Sequence, residues 1–371
     1  MKKFKKGILN LSVLLYFIFL ILTNQVEHYA IFIGFYSSLI LCGVVGLYAK
    51  GFRLTVKSAL IILLLIVTAG LNYFFVGNTT FKQIIYIGLF GFASLALICD
   101  ELSEKTLLIA FAANAIVILY KLGTVGPLSD HLFTNSSRNF VSVYLMYPLV
   151  IYYSIIAKKN KDIHLYPVFI AWLICLLSRG RGGIITSTIL LLGICFVKYR
   201  NIKKNLKKFV SLVILIVICL IIINLPQLLK RIESFSFMEM FARNQMDSSR
   251  FRFWPEYIDL INSNVKNFLL GANISKTYFG RYLEGNPHNS FIEIHMLNGI
   301  IGLTIIVITL IKNCIQSIKN KNLLFVVCLF SLLLRAFTDH VLWAAFGTPV
   351  LFYFLFYTTA KPKHKTTKGV F

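Results

Sequence analysis

The sequence holds no GxxxxGK loop, so ATP-driven transport carried by this chain is not expected. Neither an HExxH pair nor two cysteines in CxxC spacing occurs, which removes the common zinc patterns. The DxD pair that holds metal and nucleotide in many sugar-nucleotide enzymes is also missing, and no metal or other cofactor is expected. The seven cysteines (Cys42, Cys99, Cys175, Cys195, Cys219, Cys314, Cys328) lie in apolar runs or at their ends. They read as small packing residues and not as a disulfide framework. No small-residue cleavage site follows Ile8–Leu22, so a cleavable leader is not expected. Acidic residues are scarce: 14 Asp and Glu face 38 Lys and Arg, for a formal net charge of +24. In a soluble domain that balance would suggest nucleic acid. In a membrane protein it means first that cations collect in cytoplasmic loops, and no nucleic-acid partner is expected.

What is present is apolar. Hydrophobic residues make up 57% of the 371-residue chain, with a mean hydropathy of +0.76. Apolar runs, each of a length to cross a bilayer, fall near 8–22, 30–49, 57–76, 81–99, 105–121, 140–157, 164–178, 184–198, 209–225, 288–311, 322–340 and 343–359. The expected fold is all-α, a polytopic transmembrane bundle of about twelve helices forming one integral membrane domain over 1–371. With the N-terminus inside, Lys50, Lys57, Lys105, Lys158, Lys159, Lys161, the cluster 198–208, Lys312, Lys319 and both basic tails share the cytoplasmic side. The segment 226–287 then becomes a large extracytoplasmic loop, and its eight cations run against the positive-inside bias.

That loop and the next apolar run contain the chemistry. Arg250, Arg252 and Arg281 gather ahead of His288. Asn286-Pro287 reads as a helix cap followed by proline at the first helical position, which puts His288 in the first turn. The helix dipole there favours an anion and a neutral, proton-accepting imidazole. Ser248-Ser249 can cap an amphipathic helix from about Arg250 to Asn262, with Phe251, Trp254, Tyr257, Ile258 and Ile261 as its apolar face. Glu293 is a carboxylate inside a span and needs a partner or a polar cavity. His295 reads as a buried hydrogen-bonding residue, and Gly299 and Gly302 as sites of close helix packing. Earlier, Ser178-Arg179-Gly180-Arg181-Gly182-Gly183 joins two spans almost without a linker. It either grips phosphate oxygens through its guanidiniums or is a tight turn whose arginines snorkel to headgroups. Arg335 and Asp339, four apart beside His340, form either an interfacial salt bridge or a substrate contact.

A basic cluster on the outer face suits a lipid-linked diphosphate whose leaving charge is stabilised by fixed guanidiniums. The SRGRGG turn, Arg250-x-x-x-Trp254, LLGAN at 269–273 and PHNSFIEIHMLNGIIGL at 287–303 together resemble the O-antigen ligase/polymerase family. The resemblance implies a GT-C-like bacterial membrane glycosyltransferase of the cytoplasmic (inner) membrane, active at its outer face with both termini inside. It implies a polyprenyl-diphosphate-linked oligosaccharide donor and a glycan acceptor. A flippase and a chain-length regulator are the candidate partners. Catalytic roles carry over to Arg179, Arg250 and His288; Arg181, Arg252, Arg281, Glu293, Arg335 and Asp339 are candidates for substrate binding. A polymerase of lipid-linked repeat units for capsule, exopolysaccharide or O-antigen is the leading expectation. A ligase, a transporter and a non-catalytic scaffold are the rivals.

Overall fold

The computed structural model describes residues 2–26, 28–51, 54–126, 132–134, 136–200, 249–277, 280–281, 287–343 and 347–357; within these, the side chains of Lys2, Lys276 and residues 249–253 are left undescribed. Every described element is helical. In chain order these are α1 (Lys2–Leu22), α2 (Tyr29–Ala49), α3 (Val56–Phe75), α4 (Phe81–Leu97), α5 (Glu104–Val125), α6 (Val141–Lys158), α7 (Tyr166–Ser178) and α8 (Arg181–Arg200). After the undescribed residues 201–248 come α9 (Ser249–Asn262), α10 (Val265–Leu270), α11 (Ser290–Lys319), α12 (Leu323–Thr338) and α13 (Thr348–Phe356). Helices thus occupy every predicted span except 209–225, which lies outside the described residues. Among the described helices, seven are long and apolar enough to cross a membrane, and α4, α7 and α12 are shorter apolar helices.

The bundle is built around α6. Every residue from Val141 to Ile156 is buried, as expected of a helix that is apolar all round and enclosed by α5, α7, α8 and α12. Pro148 sits inside it and cannot donate to the Tyr144 carbonyl. The amide of Asn114, fully buried on α5, makes that bond instead at 2.8 Å. In a chain surrounded by lipid, such replacement is required, because water is not there to supply it.

A second break shapes the region near His288. Gly299 has φ 65° and ψ −174°, so α11 is two helical pieces and not one straight span. Its neighbours are backbone: a Cβ on Gly299 would lie 2.0 Å from the Leu269 carbonyl oxygen. The close packing expected at Gly299 is observed, against the α10 backbone, and the residue breaks the helix as well. The carbonyls freed by the break, and that of Leu270 at the end of α10, find donors in α3 and the turn after it. Asn72 Nδ2 donates to Met296 O (2.9 Å) and Leu270 O (2.5 Å), Asn78 Nδ2 to Met296 O (3.0 Å) and Thr79 Oγ1 to Leu297 O (2.8 Å). The Asn298 amide bonds Leu65 O and Thr68, and Trp343 Nε1 donates to its oxygen at 3.0 Å.

At the opposite end of α6, the C-termini of α2, α4, α6 and α13 converge around Lys50, Lys158 and Lys159. The negative ends of those helices account for lysines at this place. Lys158 also pairs with Asp100 (2.5 Å) and Lys159 with Glu104 (3.2 Å).

Candidate active site

Helix α11 starts three residues later than the sequence suggests. Asn289, not Asn286, is the cap: its Oδ1 accepts from Phe291 N (2.8 Å) and Ile292 N (3.2 Å). His288 therefore lies outside the first turn, just ahead of the cap, in the left-handed region at φ 48°. Asn286 is outside the described residues. Local rules point to Asn286 because proline follows it. The reason for the later start is tertiary, since this turn brings His288 to a partner on another helix.

That partner is Asp339, at the end of α12. His288 Nδ1 lies 3.3 Å from Asp339 Oδ1, while Arg335 Nη2 donates to Oδ2 at 3.1 Å. Arg335 is 2% exposed and Asp339 3%. The guanidinium is held further by Ser142 Oγ (3.1 Å), Thr338 Oγ1 (3.2 Å) and Asn139 O (2.9 Å). Ser290 closes the group: its hydroxyl donates to Asp339 O (2.9 Å) and accepts from Val341 N (2.9 Å) and Leu342 N (3.1 Å).

Burial alone would raise the Asp339 carboxyl, but Arg335, His288 and His340 outweigh it and hold it well below the usual carboxylate range. An ionised carboxylate can only accept, so Nδ1 of His288 is the donor. In neutral His288 the ring lone pair is then on Nε2, the nitrogen able to take a proton. His340 stacks edge-on to both His288 (ring centroids 6.1 Å) and Phe140 (5.9 Å). Burial works against its charge, yet Asp339 and Glu293 raise it above its ordinary value.

Ligand atoms of His288, Asp339 and His340 lie within 4.8 Å of one another, close enough to hold a metal ion. Arg335 already occupies the other carboxylate oxygen and supplies the positive charge a cation would bring. The set fits an ion pair with a positioned histidine better than it fits a metal centre.

The turn between α7 and α8 packs onto this cluster. A Cβ on Gly182 would come 3.3 Å from Thr338 Oγ1, one on Gly183 3.0 Å from the Ser142 side chain, and one on Gly180 3.1 Å from Arg138 O. These glycines thus serve protein packing, with Arg179 in the left-handed region (φ 55°) and Arg181 opening α8. Glu293, in the first turn of α11, has a buried Oε2 with no hydrogen-bond partner among the described residues. Arg281 is exposed, and its Nε bonds Thr277 O (3.4 Å) within its own turn. The side chains of Arg250 and Arg252 are not described; their backbone is helical, in α9. That helix forms as expected, but Ile258 is 50% exposed, and the packed face is Trp254, Tyr257, Leu260 and Ile261. The buried hydrogen-bonding role expected of His295 is observed: it is 4% exposed, with its ring nitrogens 2.6 Å from Tyr257 Oη and 3.0 Å from Phe268 O.

Asn139, Ser142 and Ser290 come from two distant stretches of the chain, and no local pattern marks them for this role.

A multi-pass helical membrane protein with a histidine–aspartate–arginine cluster beside an arginine turn is the class that fold and site define. The O-antigen ligase model matches residues 166–307 and supports assignment of the chain to the O-antigen ligase/polymerase family. Members of this family are glycosyl-transferring enzymes acting on lipid-linked glycans at membranes. The match spans Arg179, Arg250 and His288 and ends before Arg335 and Asp339. No curated protein and no solved structure matches the chain.

Proposed function

We propose that the protein polymerises polyprenyl-diphosphate-linked oligosaccharide repeat units at the outer face of a bacterial cytoplasmic membrane, for capsule, exopolysaccharide or O-antigen. The bundle is read as about twelve helices in a GT-C-like arrangement, with residues 209–225 as one span and 226–287 as the outer loop. Both termini are placed in the cytoplasm by the lysine-rich loops. The observation that carries this reading is the contact of His288 Nδ1 with the buried, Arg335-paired Asp339, which orients the imidazole as a base.

In the proposed step, His288 Nε2 takes the proton of an acceptor hydroxyl as its oxygen bonds to the anomeric carbon. The bond from that carbon to the diphosphate breaks, and the electron pair leaves on polyprenyl diphosphate. Arg179 and Arg250 stabilise the charge that develops there, with Arg181, Arg252 and Arg281 in supporting positions. No metal is required in this scheme. A flippase that delivers the donor and a regulator of chain length are the partners implied.

Membranes supplied with donor alone test the reading. A polymerase extends the glycan without added acceptor. Transfer only to a second lipid indicates a ligase, and movement of donor across vesicles without new glycosidic bonds indicates a transporter.

A further inference from the structure

Helix α10 falls within the stretch that the sequence marks as an extracytoplasmic loop, yet its outward face is apolar. Val265, Phe268 and Leu269 recur at i, i+3 and i+4, one side of a helix, and are 73%, 42% and 41% exposed. The rest of the helix is engaged with protein. Asn267 Nδ2 donates to Leu260 O at 3.1 Å, and Phe268 O lies 3.0 Å from His295 Nε2. The Leu269 and Leu270 backbone packs on Gly299, at the break in α11. Three large apolar side chains on one face of a six-residue helix are unfavourable in water and mark a surface with an apolar partner.

The depth of α10 identifies that partner. Helix α3 has 20 residues and is long and apolar enough to cross a membrane. Its length of about 30 Å equals the thickness of the hydrocarbon core. Asn72 stands ~4.5 Å before the end of α3 and donates to Leu270 O, the last residue of α10. The end of α3 carries Tyr73, Phe74 and Phe75, all exposed, in the manner of an aromatic belt. Helix α10 touches α3 and is therefore level with the boundary between headgroups and acyl chains. Exposed Asn262, Ser263 and Asn264 precede it, and exposed Lys266 flanks its apolar face. Polar groups and a long basic side chain beside an apolar face are what that boundary accommodates.

We propose that α10 is seated in the surface of the bilayer, with Val265, Phe268 and Leu269 among phospholipid acyl chains and Lys266 at the headgroup phosphates. Lipid on one side, and the bonds to Asn72 and His295 on the other, then hold α10 over the break at Gly299. Lys266, one of the cations that run against the positive-inside bias, gains a phosphate to pair with. Nothing in this seating depends on which reaction the protein performs.

The test uses full-length protein in nanodiscs of phosphatidylethanolamine and phosphatidylglycerol, without polyprenyl lipid. A photoreactive benzoylphenylalanine replaces Phe268 or Val265, and the same probe at the exposed Phe74 of α3 gives the reference for lipid contact. After illumination, mass spectrometry of the labelled peptide identifies what was captured. Phospholipid adducts at both positions, within about threefold of the Phe74 yield, are expected. Cross-links to another part of this chain or to a second copy overturn the proposal, because protein then covers the face. Adducts below about a tenth of the reference also overturn it, because the face then lies in water. Wild-type protein gives a second reading that needs no substitution. Hydroxyl radicals generated in the aqueous phase should spare Phe268 as they spare Phe74, and oxidation of Phe268 at several times the Phe74 rate overturns the proposal as well.

Discussion

A buried carboxylate stays ionised only where partners replace its lost hydration, and Asp339 has them on both oxygens. Arg335 holds Oδ2, while His288 Nδ1 and His340 N reach Oδ1 at 3.3 and 3.0 Å. Removing one member strands the other, so Asp339→Asn should destabilise the protein by about 3–5 kcal/mol, read as a lowered midpoint of denaturation in detergent. It should also suppress glycosyl transfer, since an amide no longer fixes which nitrogen of His288 carries the proton. His340 gives a pH dependence with a definite sign. Its folded value is raised, so its contribution is fully present below the ordinary histidine value and is lost as pH rises through the folded one. The midpoint of wild type should therefore fall more steeply than that of His340→Gln as pH rises above the ordinary histidine value. At this scale, pairing of Arg335 with Asp339 was legible, because four residues apart on a helix means one face. Contact between His288 and Asp339 was not. They are 51 residues apart, and nothing local in the sequence points one to the other.

Among the elements, α11 departs most from what an apolar run suggests. Periodicity identifies a helix, but a glycine within an apolar helix reads equally as a packing site or as a break. The break at Gly299 is recognisable only once Asn72, Asn78 and Thr79 are seen donating to the carbonyls it frees. Those three polar residues at and after the end of α3 look unremarkable in the sequence, because their partners lie more than two hundred residues away. The conformation at Gly299 is one essentially reserved for glycine, at a cost of about 1–3 kcal/mol for another residue. A Cβ would also collide with Leu269 O. Gly299→Ala is thus expected to lower thermal stability and yield little active protein. Gly70→Ala on α3, where a Cβ meets nothing within 4 Å, should behave as wild type. The amphipathic α9 was legible nearly to its ends; among the described side chains of the expected face, Ile258 alone turns outward, because the helical spacing allows a wider stripe than the docking uses.

For the whole molecule, α6 separates two chemically different ends. Ser142, near its start, touches Arg335, and Lys158, at its end, pairs with Asp100. The proposed orientation puts the first end outside and the second in the cytoplasm. Cysteine at Ile258, half-exposed on α9, should be labelled by a membrane-impermeant maleimide added to intact cells. Cysteine at Lys161, whose side chain is 54% exposed, should be labelled only after permeabilisation. The reverse pattern would invert the topology and remove the site from the face where a polymerase must work. The helical membrane class was legible from apolar run length alone, since the bilayer demands it. The cluster that unites α6, α11 and α12 was not, because it is a property of packing.

The measurement that bears most directly on the central claim is glycan length in cells lacking the native protein. These would be complemented with wild type, His288→Ala or Arg250→Ala at equal membrane abundance. Removing a general base or an electrostatic stabiliser of the leaving group is expected to cost on the order of 100-fold or more. Wild type should then give a ladder of chain lengths, while both variants leave single lipid-linked repeat units. Ladders indistinguishable from wild type in both variants would contradict the account.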